Sequence, residues 1–283
     1  MVNGAAAVKK RIRLNLRTAA GYALLFALAA AVLLPVFWML VSSVKPAGEI
    51  FSPGLTGSRL AWENFTLAWN YAPFGRFFLN TVFVCASIVL LELATASLAA
   101  YAFARMRFPG RDALFYLYLA TLMIPGQVIM VPLFILVNYL GWIDTYKALI
   151  LPNAFTAFGT FLLRQFFLTI PFELEESARM DGCGRFGLYS RIIMPLSGSI
   201  LSVLAIFIFV NQWNSFLWPL IVINKEKMKT LSIGLSYFQG MYGTEWHLMM
   251  AAAAIVIVPT VIVFAFLQRY LVEGITLSGM GGR

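Results

Sequence analysis

Histidine occurs once in this chain, at position 247, and cysteine twice in 283 residues. A histidine-based metal cluster or catalytic dyad is therefore excluded within the chain. Charged residues are also scarce, 12% of the total where soluble domains carry about 25%. No G-x-x-x-x-G-K-[ST] phosphate-binding loop occurs, so the chain has no recognisable means of cradling a nucleotide's phosphates. No nucleophile motif appears, and no block of sequence repeats.

What is present is grease in long runs. Apolar residues make up 61%, including 25 Phe, 12 Met and 7 Trp. Charge-free stretches cover Thr18–Val44, Phe77–Leu91, Ala113–Ile143, Ala148–Leu163, Ile192–Asn224 and Trp246–Gln268. Crossing about 30 Å of hydrocarbon takes roughly 20 residues of helix, and the shorter runs reach that length once one charge is allowed. The expected fold class is an all-α integral membrane protein with six transmembrane helices, about 20–43, 79–103, 114–138, 148–168, 198–221 and 248–271. A β-barrel is disfavoured, because the runs are continuous rather than alternating.

The formal charge of +9 could suggest nucleic acid, but its placement argues against that. With a cytoplasmic N-terminus, fourteen Lys and Arg fall inside and seven outside, as the positive-inside rule requires. Six spans then return the C-terminus to the cytoplasm. The first apolar run, 27 residues long, exceeds the roughly 7–15 of a signal-peptide core, which predicts a retained helix. Cys85 falls in the second span and Cys183 in a cytoplasmic loop, so they cannot pair and nothing implies an oxidative fold.

Residues 1–17 read as a basic cytoplasmic tail, and 18–283 as a single transmembrane domain with core helices at about 79–271. The outer loop 45–78 has room for a short interfacial helix around Leu60–Trp69. Pro109-Gly110 marks a tight basic turn. Residues 169–197 form the large inner loop, and 222–247 a polar outer one. Small residues from Ala94 to Ala104 allow close helix contacts in lipid. Pro125 and Pro132 in the third span and Pro259 in the sixth each remove an internal hydrogen bond, which can bend a helix.

The inner loop is the anomaly. It carries four carboxylates within nine residues, Glu173, Glu175, Glu176 and Asp181. Pro171 suits a first helical turn, and the three glutamates then sit near the positive end of the helix dipole. Ser177 and Ala178 keep the surface thin, and Gly182 suits a turn with positive φ. A second short helix, about Gly184–Ile193, should carry Phe186, Tyr189 and Ile192 toward the membrane, with Pro195 before the next span. Such a piece, tethered at both ends, either carries force from a soluble partner or is an ordinary interfacial helix.

Its spacing resembles a known pattern. Glu176-Ser-Ala178, then Gly182 after three residues, then Ile192-Ile-Met-Pro195 after nine, is similar to the EAA loop of ABC-transporter permeases, E-A-A, three residues, G, nine residues, I-x-L-P. The context from Pro171 looks like that of binding-protein-dependent sugar importers, specifically the MalG-type subunit. Leu98–Arg105, Met123-Ile-Pro125, Phe158–Phe167, Trp213–Leu220 and Thr230–Leu235 extend the similarity over nearly the whole chain. Ser177 and Cys183 stand where alanine is usual and Met194 where leucine is usual, changes that keep the side chains small or apolar.

The resemblance implies a type I ABC importer permease fold in a bacterial inner membrane, non-catalytic and without a cofactor of its own. Glu173, Glu175, Glu176, Ser177, Ala178, Asp181, Gly182, Ile192 and Pro195 would then dock into a cytoplasmic ATPase, where ATP binds. The implied partners are a second homologous permease subunit, two ATPase subunits, an extracytoplasmic solute-binding protein and membrane lipid. Glu92 is costly in mid-membrane and so a functional hypothesis by default; it either faces a translocation path or is a hydrogen-bonded structural glutamate. Asn211, Trp213 and Asn214 suit a sugar path, since amides and aromatic faces match sugar hydroxyls and rings. The rivals are an ion-coupled secondary transporter, which would show internal symmetry, and a structural subunit with no path.

Overall fold

The computed structural model describes residues 16–240 and 243–280. Residues 1–15 of the expected basic tail lie outside them. The chain is helical almost throughout: α1 (Leu16–Ser43), α2 (Glu63–Tyr71), α3 (Phe74–Arg105), α4 (Arg111–Ala120), α5 (Gly126–Tyr139), α6 (Tyr146–Ile150) and α7 (Ala157–Thr169) come first. The rest is α8 (Glu173–Met180), α9 (Arg185–Leu188), α10 (Met194–Leu196), α11 (Gly198–Trp213), α12 (Leu217–Val222), α13 (Leu231–Gly234) and α14 (Trp246–Met280). Among the described residues the only strands are Gln239–Gly240 and Gly243–Thr244, paired antiparallel.

Three helices, Thr18–Ser43, Phe74–Arg105 and Trp246–Phe266, are long and apolar enough to cross a membrane unbroken. Two bent pairs raise the number to five. Arg111–Met123 and Gly126–Tyr139 meet at 100°, and Arg185–Leu196 and Gly198–Trp213 at 78°. Of the six expected spans, three are thus unbroken helices and the other three are interrupted, for local reasons. Pro125 drives Ile124 to ψ 118°, because a proline disfavours helical geometry in the residue before it. The expected span 148–168 is split into α6 and α7 by a tight turn at Leu151–Asn153 containing Pro152, after which Thr156 caps α7 by accepting from the Gly159 amide at 3.3 Å. The expected span 198–221 breaks after Trp213 and resumes at Leu217. Pro259 interrupts nothing; α14 runs through it.

α3 is the axis. Its 32 residues extend about 48 Å at 1.5 Å each, well beyond the hydrocarbon. Phe77, Thr81, Ile88, Glu92, Ala96, Ala100 and Ala104 are buried along one side, a helical spacing. Lipid is as apolar as these side chains, so association depends on close packing, and the alanines supply it: α3 lies against α7 and α11, with Leu163 and Phe167 fully buried between them. Gly159 brings α7 onto α11, since a Cβ there would lie 2.6 Å from Thr156 Cγ2 and 3.1 Å from Leu204 Cδ2. α1 stands outside this core, its span unburied, in contact with α14.

The end of the bundle at the start of α3 is closed by amides. The expected interfacial helix forms as α2, where the buried Asn64 donates to the carbonyls of Ser43 and Lys45, each at 2.9 Å. Asn80 of α3 donates to Lys227 O at 3.0 Å and Lys229 O at 2.8 Å, and accepts from the Tyr146 hydroxyl at 2.8 Å. Asn64→Ala would leave two carbonyls without their partner, and we expect it to cost roughly 1–3 kcal/mol of stability. Thermal unfolding of the purified chain measures this; an unchanged melting temperature would mean that water takes over both bonds.

Candidate functional site

Two regions gather polar residues: the segment after α7, and a cavity among the helix interruptions.

In the first, α8 opens with Glu173, Glu175 and Glu176 in its first turn. The three do not share an environment. Glu173 and Glu176 are exposed, whereas Glu175 is fully buried. Its Oε1 lies 3.1 Å from Arg105 Nε, and its Oε2 3.3 Å from Arg179 Nη2. Arg105 ends α3 and has a side chain only 4% exposed. Its Nη2 also donates to Ile170 O at 2.5 Å and to Phe167 O, the last carbonyls around the end of α7. The Phe172 ring lies 5.6 Å from both guanidinium carbons. One arginine therefore binds the start of α8, the end of α7 and its own helix α3 into a single joint. The resemblance pointed to Glu175 as a docking residue; the structure turns its carboxylate inward instead.

α8 stops as its sequence directs. Gly182 takes φ +83°, its amide donating to Arg179 O at 3.0 Å while the Cys183 amide reaches Ala178 O at 2.9 Å. This paired closure is the Schellman motif, which favours glycine at the left-handed position. Ser177 and Asp181 remain exposed beside Glu176, and Ala178 is half-buried. The following stretch is seated by Leu188 and Ile193, both fully buried, with Tyr189 OH 2.8 Å from Ser97 Oγ. Ile192 is half-buried and Pro195 exposed. The expected helix Gly184–Ile193 is α9 followed by a wider π turn over Tyr189–Ile193. Phe186, expected to be carried toward the membrane, is 73% exposed.

The second region is a cavity of about 700 Å³. Glu92, Asn211 and Asn214 line it together, with Asn153, Thr156 and Gln212. Trp213 does not. It is 1% exposed, its indole donates to Val256 O at 2.9 Å, and it stacks with Phe209 at 5.3 Å, so it holds α11 against α14. On a helix, neighbours in sequence point about 100° apart, which is why Trp213 faces away from a cavity that Asn211 and Asn214 share. Asn153 and Thr156 escaped the sequence reading because they lay inside an apolar run taken as one helix. Pro152 and the capping threonine were the available signals.

The family described as "Binding-protein-dependent transport system inner membrane component" matches residues 93–277. The chain belongs to this family. The match covers the α8–α10 segment and the cavity-lining residues other than Glu92, and leaves α1, α2 and the first part of α3 outside. This inner membrane component is a multi-pass protein, and the family assignment accords with a chain that does no chemistry of its own. It is 38% identical over 253 residues to the arabinooligosaccharides transport system permease protein AraQ of Halalkalibacterium halodurans, covering 88% of this chain and 91% of that one. It is 36% identical over 256 residues to the sn-glycerol-3-phosphate transport system permease protein UgpE of Rhizobium meliloti, covering 86% and 90%. A chain of a bacterial ABC transporter involved in import of the acidic polysaccharide alginate superposes with a TM-score of 0.80 at 21% identity, covering 89% of this chain and 95% of that one. That likeness bears on the fold alone.

Proposed function

We propose that this chain is a MalG-type permease subunit of an ATP-driven importer that moves a sugar or oligosaccharide delivered by an extracytoplasmic binding protein. Residues 18–283 form one permease domain, and α8 with its flanks, residues 171–195, is the piece that docks on the ATPase. Two cytoplasmic ATPase subunits and a second homologous permease subunit complete the assembly. Six crossings place both termini in the cytoplasm; α6 and α7 together make the fourth, across their break. The excess of inner Lys and Arg supports that orientation.

The observation that carries the docking role is the two-sided character of α8. Its Glu176, Ser177 and Asp181 face outward on a short helix, while Glu175 is locked inward to Arg105. A helix presented to a soluble partner on one side and fixed to the bundle on the other can transmit displacement. The sugar assignment draws on the AraQ relatives, whose names specify arabinooligosaccharides.

In reconstituted complexes, Glu176→Lys should abolish ATP-dependent uptake while the permease still folds, because it reverses charge on the exposed docking face without touching the buried joint. Co-purification of the ATPase and uptake into vesicles are the measurements. Wild-type uptake by Glu176→Lys would sink the docking role, and undiminished uptake without any ATPase would sink the importer itself.

A further inference from the structure

Four arginines converge on a separate cavity of about 600 Å³ where the end of α3 meets α8 and α9. Arg105 and Arg107 come from the last residue of α3 and the turn beyond it, Arg179 from α8 and Arg185 from α9. Glu176 is the one carboxylate in the lining, and Ser177 and Asp181 lie outside it. Gathering like charges costs energy, and the fold holds these in place. The buried Glu175 grips two of them, Arg105 at 3.1 Å and Arg179 at 3.3 Å. The Tyr101 hydroxyl donates to Arg185 O at 3.3 Å, seating the backbone of a third against α3.

The donors are only partly used. Arg105 spends Nη2 on Phe167 O and Ile170 O, but among the described residues its Nη1 makes no hydrogen bond and its buried Nε none of good geometry. Arg107 and Arg185 are exposed, and among the described residues the side chain of neither has an ion pair. Four guanidiniums therefore face two carboxylates, Glu175 behind the wall and Glu176 in it, which leaves the cavity positive.

We infer that this cavity binds a phosphate group, carried by an anionic lipid headgroup or by a soluble phosphate ester. The importer reading assigns it no ligand. Guanidinium forks match phosphate oxygens in paired geometry. A carboxylate fills one fork with its two oxygens, whereas arginines arriving from three segments suit a tetrahedral group with more. Two of the forks are already oriented by Glu175, so less ordering is required on binding. The volume lies within the range of small-molecule sites and exceeds a bare phosphate, leaving room for the glycerol or sugar that bears it. Basic pockets among membrane helices are a setting in which lipid phosphates are held. An anion seated there would bridge the end of α3 to α8 and α9.

The test uses the purified full chain, free of any ATPase and its nucleotide sites, so its outcome is independent of the importer reading. Equilibrium dialysis measures radiolabelled inorganic phosphate and glycerol phosphate. Mass spectrometry counts lipid retained after extraction from vesicles of phosphatidylglycerol or of phosphatidylcholine. The expected result is saturable binding of a phosphate-bearing probe, weakened at least about tenfold by Arg107→Gln and by Arg185→Gln. Both side chains are exposed, so both variants should fold, as circular dichroism checks. Arg191→Gln, exposed but outside the lining, should bind as the wild type does. Binding of the soluble probes identifies a soluble ester as the source; retention of phosphatidylglycerol alone identifies the lipid. Binding of neither, or equal weakening by Arg191→Gln, would overturn the site and leave only diffuse surface charge.

Discussion

Replacing Glu175 by leucine is expected to destabilise the chain by roughly 3–5 kcal/mol, because it strands a buried guanidinium. Arg105 is 4% exposed at its side chain and sits 3.1 Å from the Glu175 carboxylate. Its carbonyl partners, Phe167 O and Ile170 O, share the charge without neutralising it. Arg105→Leu should also destabilise, leaving a buried carboxylate with only Arg179 at 3.3 Å and two orphaned carbonyls at the end of α7. The double variant should recover part of the loss, since an apolar pair carries no desolvation cost, but not all of it, because those carbonyls stay unpaired. Thermal unfolding of the four proteins yields the coupling energy directly. Additive effects would mean that the two residues act independently. In assembled transporters the single variants should also hydrolyse ATP without moving solute, because α8 would no longer drag α3 with it.

The second large effect belongs to Gly182. Proline there removes the amide that donates to Arg179 O at 3.0 Å and cannot adopt φ +83°, since its ring holds φ near about −65°. Both closing bonds of α8 should be lost and the exposed face displaced. Uptake is expected to fall at least a hundredfold, with the span helices intact by circular dichroism. Gly182→Ala keeps the amide and meets only the left-handed strain, about 1–2 kcal/mol; no side chain crowds the position, for nothing lies within 4 Å of a Cβ there. Its uptake should therefore fall far less. Equal losses in the two variants would show that bulk, and not backbone geometry, is what the position excludes.

Much of this was legible in the sequence. Hydropathy alone found α1, α3 and α14, because those helices are unbroken and apolar enough to span. The loop spacing from Glu176 to Pro195 led to the family that the match over residues 93–277 shows. The errors came where composition is blind to direction. Pro125 and Pro152 lie in apolar runs whose average conceals a break, and the breaks build the cavity. Glu175 and Glu176 are adjacent in sequence and opposite in fate, one buried against Arg105, 70 positions earlier, the other exposed. Arg105 read as a positive-inside marker at the end of a span. No local pattern says that such a residue turns back under the bundle; only the approach of α7 and α8 to the end of α3 determines it. Trp213 failed for the converse reason, since its chemistry suits a sugar but its helical phase belongs to α14.

The two glutamates differ in one further respect. Ionic strength screens exposed charges beyond about 8–10 Å at ordinary salt and far less those removed from water. A brine wash should therefore loosen whatever grips the outer face of α8, while the Arg105–Glu175 joint beneath keeps its shape. The detached subunit would retain a preformed plug, ready to be re-engaged once the salt is diluted.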